Sequence, residues 1–119
     1  MTTETIDRMT DSKGIPVETD GEGYLFDPWR WDERIAEQIA AREGVALTDE
    51  HWQVIRFMRS FYEDHQIAAD ARFVIRHMAE EMGLGSKARN YLFELFPYGY
   101  VRMACKIAGM KRPRAWSTG

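Results

Sequence analysis

Cysteine is almost absent from this chain of 119 residues: Cys105 is the only one. No internal disulfide can form, and a lone thiol fits a reducing compartment. Long apolar runs are missing as well. None approaches the roughly 18 residues that a membrane helix needs, and Met1 to Lys13 has no apolar stretch of the signal-peptide kind. The expectation is a cytoplasmic protein with no membrane partner. There is no Gly-rich phosphate loop, no His-Glu-x-x-His and no second cysteine to begin a thiolate zinc site, so no cofactor and no metal are expected. Acidic residues are scarce in one region only. Residues 86–119 carry seven Lys and Arg against Glu94 alone, whereas residues 1–85 carry nine against eighteen Asp and Glu. A basic end on an acidic body can steer an anionic partner, whether DNA, tRNA or an acidic protein surface.

What is present is an ordinary globular composition, 45% hydrophobic and 29% charged, enough for one domain with a real core. Residues 1–13 are polar and lack periodicity, which predicts a disordered tail. Ile15 to Thr19 and Tyr24 to Phe26, around Asp20-Gly21-Glu22-Gly23, predict a small β-hairpin docked on helices. Five helices are expected after it. Trp31 to Glu43 ends at Gly44, and Thr48 caps a second helix with Trp52, Ile55, Met58, Phe61 and Tyr62 on its core face. Asp70 to Met82 turns Phe73, Val74, His77 and Met78 inward; Ser86 caps a fourth helix ended by Pro97; Tyr100 to Ala108 is the fifth, stopped by Gly109. The fold class is therefore mainly α, a hairpin on a five-helix bundle over residues 14–109. A mobile C-terminal arm is expected over 110–119, because Pro113 is poor helix material.

His51, His65 and His77 fall on different predicted helices and read as packing or surface residues. The scattered carboxylates offer no pair for acid–base work. Cys105 is the one nucleophile with a context. Arg102 and Lys106 flank it and favour the thiolate, while Val101, Ala104, Cys105 and Ala108 form an apolar stripe that favours burial. Both readings stay open at this point. The helices from Asp70 to Phe96, joined by Gly83-Leu84-Gly85, suggest a helix-turn-helix-like element, with Lys87, Arg89, Arg102 and Lys106 as phosphate contacts or as ordinary solvated cations.

Leu95-Phe96-Pro97-Tyr98-Gly99, then Ala104-Cys105-Lys106-Ile107-Ala108-Gly109-Met110 and Pro113, resembles the C-terminal signature of the TusE/DsrC/DsvC sulfur-relay family. Asp20-Gly21-Glu22-Gly23-Tyr24-Leu25, Trp31 and Leu47-Thr48-Asp49-Glu50-His51-Trp52 extend the resemblance upstream, to about residues 14–116. It implies a hairpin on a helical bundle with a C-terminal arm. It also implies trafficking of sulfur to tRNA thiolation or to dissimilatory sulfur metabolism, with sulfurtransferase or sulfite-reductase-type protein partners. The family carries persulfide on an arm cysteine eleven residues beyond the Cys105 position, and Trp116 stands there in this sequence. Cys105 matches the upstream cysteine that pairs with the arm cysteine in the sulfite-reductase branch.

Two functions follow. The first is a sulfur-relay protein of this type, a sulfurtransferase-type relay rather than a self-sufficient catalyst. Cys105 would be its sulfur-accepting thiol, with carriage impaired or altered by Trp116. The second is a non-carrier regulatory paralogue of sulfur metabolism that binds protein or DNA. In either, Lys87, Arg89, Arg102, Lys106, Lys111, Arg112, Arg114 and Trp116 are the expected partner-binding residues.

Overall fold

A computed structural model describes residues 9–111. The architecture is mainly helical. Strands β1 (Met9–Thr10) and β2 (Pro16–Val17) pair antiparallel, with Met9 opposite Val17 and Thr10 opposite Pro16. The predicted turn at Asp20 is present too, closed by a single bridge between Thr19 and Leu25 and by the Asp20 carboxylate, which accepts from the Glu22 and Tyr24 amides. The segment from Pro16 to Thr19 thus pairs backward with β1 and forward with Leu25. Met9 to Lys13, expected in the tail, instead forms β1 and a turn, because Met9 is an apolar residue that the core can bury.

Four α-helices follow: α1 (Glu33–Arg42), α2 (Asp49–His65), α3 (Ala71–Glu80) and α4 (Ala88–Leu95). Three begin at side-chain caps. The carboxylate of Asp32 accepts from the Ile35 amide, Thr48 Oγ1 from the His51 amide, and Asp70 from the Arg72 amide. At Thr48 the capping is reciprocal, since His51 Nδ1 accepts from the Thr48 amide at 3.1 Å. Ser86 does not cap α4. It sits inside a 3₁₀ turn, Gly85–Lys87, that leads directly into the helix, and no side-chain cap bond is made there. Helices α3 and α4 pack against each other across the Gly83–Gly85 turn, as the expected helix pair requires. Phe73 differs from its predicted inward position and is 40% exposed; Val74 and Met78 supply the buried face of α3 instead.

The last element is a π-helix, Tyr100–Cys105, continued by one helical step through Lys106 and Ile107. From Gly99 to Met110 every residue is buried except Arg102. This segment supplies a large share of the buried core among the described residues. Met110, expected to start the arm, is also buried, so the packed body extends past Gly109. The remainder of the predicted arm, with Arg112, Pro113, Arg114 and Trp116, lies outside the described residues, as does the expected tail over residues 1–8. No helix among the described residues is long and apolar enough to cross a membrane.

Candidate functional site around Cys105

A buried helix must find partners for carbonyls that its own ladder leaves free. Met110 N donates back to Cys105 O at 2.9 Å, and several other partners come from earlier segments of the chain. Tyr24 donates its hydroxyl to the Val101 carbonyl at 3.1 Å, and Trp31 Nε1 donates to Ile107 O at 2.9 Å. Arg59 Nη1 donates to Ala108 O at 3.0 Å while its Nη2 donates to Pro28 O at 2.9 Å. Just upstream, His51 Nε2 donates to Leu95 O at 2.8 Å, with its ring edge-on to Phe96. The Arg59 guanidinium also lies 4.6 Å from the Trp31 ring centre. Burial draws its pKa down, yet a guanidinium keeps its charge. One residue of α2 therefore ties the start of the helical region to its end. Sequence reasoning missed Arg59; the available signal was its position on the apolar stripe of α2, one residue after Met58 and four after Ile55.

Gly109 shows the closest approach. Its φ of +80° suits glycine, and an added Cβ would lie 2.3 Å from Trp31 Cδ1. The stop residue predicted from sequence is thus also a packing requirement.

Cys105 sits at the end of the π-helix with no exposed surface. Burial pushes its thiol up to about 12, and the neighbouring Tyr100 hydroxyl, which favours the thiolate, does not offset this. Tyr100 is itself held with its hydroxyl donating to Ala69 O at 2.5 Å, and burial raises its pKa as well. The expected help from flanking cations does not reach the thiol. Lys106 turns away and is buried, its Nζ 3.0 Å from Glu43 Oε2 and 5.1 Å from the Tyr24 ring centre. Lys106 is therefore neither an activator of Cys105 nor a free surface cation. Arg102 points outward from the one exposed position of the segment.

Of the other expected partner-binding residues, Lys87 in the 3₁₀ turn, Arg89 in the first turn of α4, and Lys111 are exposed. Arg112, Arg114 and Trp116 lie outside the described residues. His65 stacks on Phe61 at 4.2 Å and His77 on Phe57 at 4.4 Å, so with His51 all three histidines pack against rings. No cluster of three or more metal-ligating side chains occurs among the described residues.

Comparison with known proteins places this geometry. Residues 11–115 match the family described as DsrC like protein. The sulfurtransferase TusE of Pectobacterium atrosepticum is 39% identical over 105 residues, covering 88% of this chain and 96% of that protein. The TusE of an Escherichia coli strain is 42% identical over 101 residues, covering 85% and 93%. Among solved structures, Allochromatium vinosum DsrC is similar with a TM-score of 0.79 and 34% identity, over 93% of this chain and 98% of that one. The oxidized gamma-subunit of the dissimilatory sulfite reductase from Archaeoglobus fulgidus gives a TM-score of 0.74 and 30% identity, over 91% and 98%.

Proposed function

This chain belongs to the DsrC-like family, and from that membership we propose that it serves sulfur relay as a protein-binding member whose own persulfide carriage is impaired. The family match over residues 11–115 carries the relay reading. The impairment rests on chemistry. In persulfide transfer a thiolate attacks the outer sulfur of a donor persulfide; the S–S bond breaks, the donor leaves as a thiolate, and the outer sulfur passes to the acceptor. The acceptor must therefore be ionised and reachable. Cys105 is neither, being fully buried with its pKa raised. Trp116 occupies the place of the family's arm cysteine and supplies no thiol.

Partners in this reading are sulfurtransferase or sulfite-reductase-type proteins, reached through the exposed cations Lys87, Arg89, Arg102 and Lys111 together with Arg112, Arg114 and Trp116. The same burial of Cys105 favours a second reading, a non-carrier regulator of sulfur metabolism that binds an acidic protein or DNA through this basic region. Size-exclusion chromatography with a purified sulfurtransferase partner separates the two. The relay reading expects a complex that forms at low salt and weakens when Arg89 and Arg102 are changed to Glu. Absence of that complex, with retention of DNA binding, would replace it with the regulatory reading.

A further inference from the structure

Seven large apolar side chains are exposed among the described residues, and three of them, Phe26, Trp29 and Ile67, line one groove of about 590 Å³. A fourth, Ile15, lines a second hollow of about 480 Å³. Trp29 borders both, so its indole stands between the two hollows and joins them into one face.

The turn that presents Trp29 is fixed by its own residues. Asp27 accepts from the Trp29 amide at 3.0 Å, Pro28 opens the 3₁₀ turn Pro28–Arg30, and Arg59 Nη2 donates to the Pro28 carbonyl from the core side. The ring rests against Tyr62, with 5.2 Å between centres. An indole held in this way loses little freedom when something covers it. Ile15 is 47% exposed, Phe26 54%, Trp29 55% and Ile67 62%. At roughly 200 Å² for each whole side chain, the four expose about 400 Å² of apolar surface in one connected patch. Patches of ~300–600 Å² are the largest that a typical monomer shows, and they are often functional.

We propose that this face is the interface of a two-fold homodimer, in which the Trp29 indole of each copy seats in the groove beside Phe26 and Ile67 of the other. Three observations select a second copy as the occupant. The first is shape. The face carries an exposed indole and, next to it, a groove within the roughly 300–1,000 Å³ that encloses an organic group. A two-fold axis uses the same patch on both copies, so each indole meets the other's groove. The second is charge. Asp11, Asp27 and Asp32 line the two hollows together with Lys13, Arg30 and Lys111, three of each sign. A balanced face can complement itself, and it gives a strongly acidic or basic partner no advantage. Lys87, Arg89 and Arg102, the other exposed cations, do not line it. The third is area. A stable pair of proteins takes about 800 Å² from each partner, roughly 55–65% of it apolar. The apolar patch comes close to that share, and the six charged residues supply the polar rim. This pairing is independent of Cys105 and holds whether or not sulfur is ever carried.

The test is sedimentation equilibrium on the full chain with reductant present, from about 1 μM to about 1 mM. Wild type is compared with Ile67→Glu, Phe26→Glu and Phe93→Glu, all at exposed positions; Phe93 lines neither hollow and is the control. The expected result is a wild-type mass that rises with concentration from 13.9 kDa and levels off at twice that value. Phe93→Glu should follow the same curve. Ile67→Glu and Phe26→Glu should each shift the midpoint at least tenfold towards higher concentration, with circular dichroism unchanged. Three results overturn the proposal. One is a wild type that stays at the mass of one chain throughout, which leaves the face to a foreign partner. Another is a mass that grows beyond two chains, which a closed two-fold pair forbids. The last is a dimer that both groove variants leave intact, or that Phe93→Glu weakens as much as they do.

Discussion

Cys105 illustrates how a residue's neighbours in sequence and in space give opposite answers. In the sequence it stands between two cations, which favours a thiolate. In the fold Arg102 faces solvent, Lys106 is engaged by Glu43, and what surrounds the sulfur is core. With a pKa near 12 rather than 9, the thiolate fraction at neutral pH falls about a thousandfold. Alkylation of native protein by iodoacetamide at pH 7 should therefore be slow, and become fast only in denaturant; equal rates in the two conditions would contradict the burial. The stability link runs the same way. The folded state holds this proton more tightly than the unfolded chain, so the stabilisation is complete below pH 9 and is lost as pH rises towards 12. The apolar stripe through Val101, Ala104 and Ala108 was legible in the sequence as one of two open readings, and the fold takes the buried one; the direction of the Lys106 side chain was not legible, because Glu43 is 63 residues away. Gly109 was legible as a helix stop, whereas its contact with Trp31 was not. Gly109→Ala must accept both a positive φ and a clash, at a combined cost of about 3 kcal/mol. A fall in Tm of about 10 °C should follow in calorimetry.

Among the elements, the caps were the most readable feature, because a cap is a local decision of three or four residues. Thr48 was named from sequence, and Asp70 was placed at the start of its helix. Ser86 failed as a cap because it lies inside the 3₁₀ turn Gly85–Lys87, which supplies its own hydrogen bonds. The Asp32 carboxylate is partly buried, which would raise its pKa, but the Ser12 and Ile35 amides outweigh this and hold it below its ordinary value; Asp70 is lowered by the Arg72 amide and guanidinium. Both groups are depressed in the folded state, so their stabilisation is present above about pH 4 and is lost as pH falls further. Acid titration followed by circular dichroism should show Asp32→Asn already weakened at pH 7 and less sensitive to acid than wild type. The terminal π-helix was expected as an ordinary α-helix, since its residues show the α pattern. Tyr24 satisfies the Val101 carbonyl inside it, and Trp31 and Arg59 satisfy the Ile107 and Ala108 carbonyls just beyond it, partners that no local pattern announces. Arg59→Ala leaves the buried carbonyls of Pro28 and Ala108 unpaired, and a loss of about 2–4 kcal/mol is expected in urea denaturation. Arg59→Lys, which cannot reach both carbonyls as a planar fork does, should recover only part of it.

At the scale of the whole molecule, the fold and the family were legible because several motifs occur in one order along the chain, and the similar structures and relatives bear this out. The site was less so. Of the expected basic residues, Lys106 is buried in an ion pair, while Lys87, Arg89, Arg102 and Lys111 remain exposed. If these exposed cations meet phosphates, affinity for DNA or tRNA should fall steeply with salt, and each charge removed should reduce the slope by about one. Slopes unchanged in Arg89→Gln and Arg102→Gln would assign them to solvent or to a protein partner. The central claim is that the body of a sulfur-relay protein is kept here without a thiol able to carry sulfur. Intact mass spectrometry after incubation with a small persulfide donor tests it most directly, using wild type, Cys105→Ala and Trp116→Cys. The account predicts almost no added sulfur on the first two proteins and one reductant-sensitive sulfur on Trp116→Cys. Rapid and complete loading of the wild type that disappears in Cys105→Ala would contradict it.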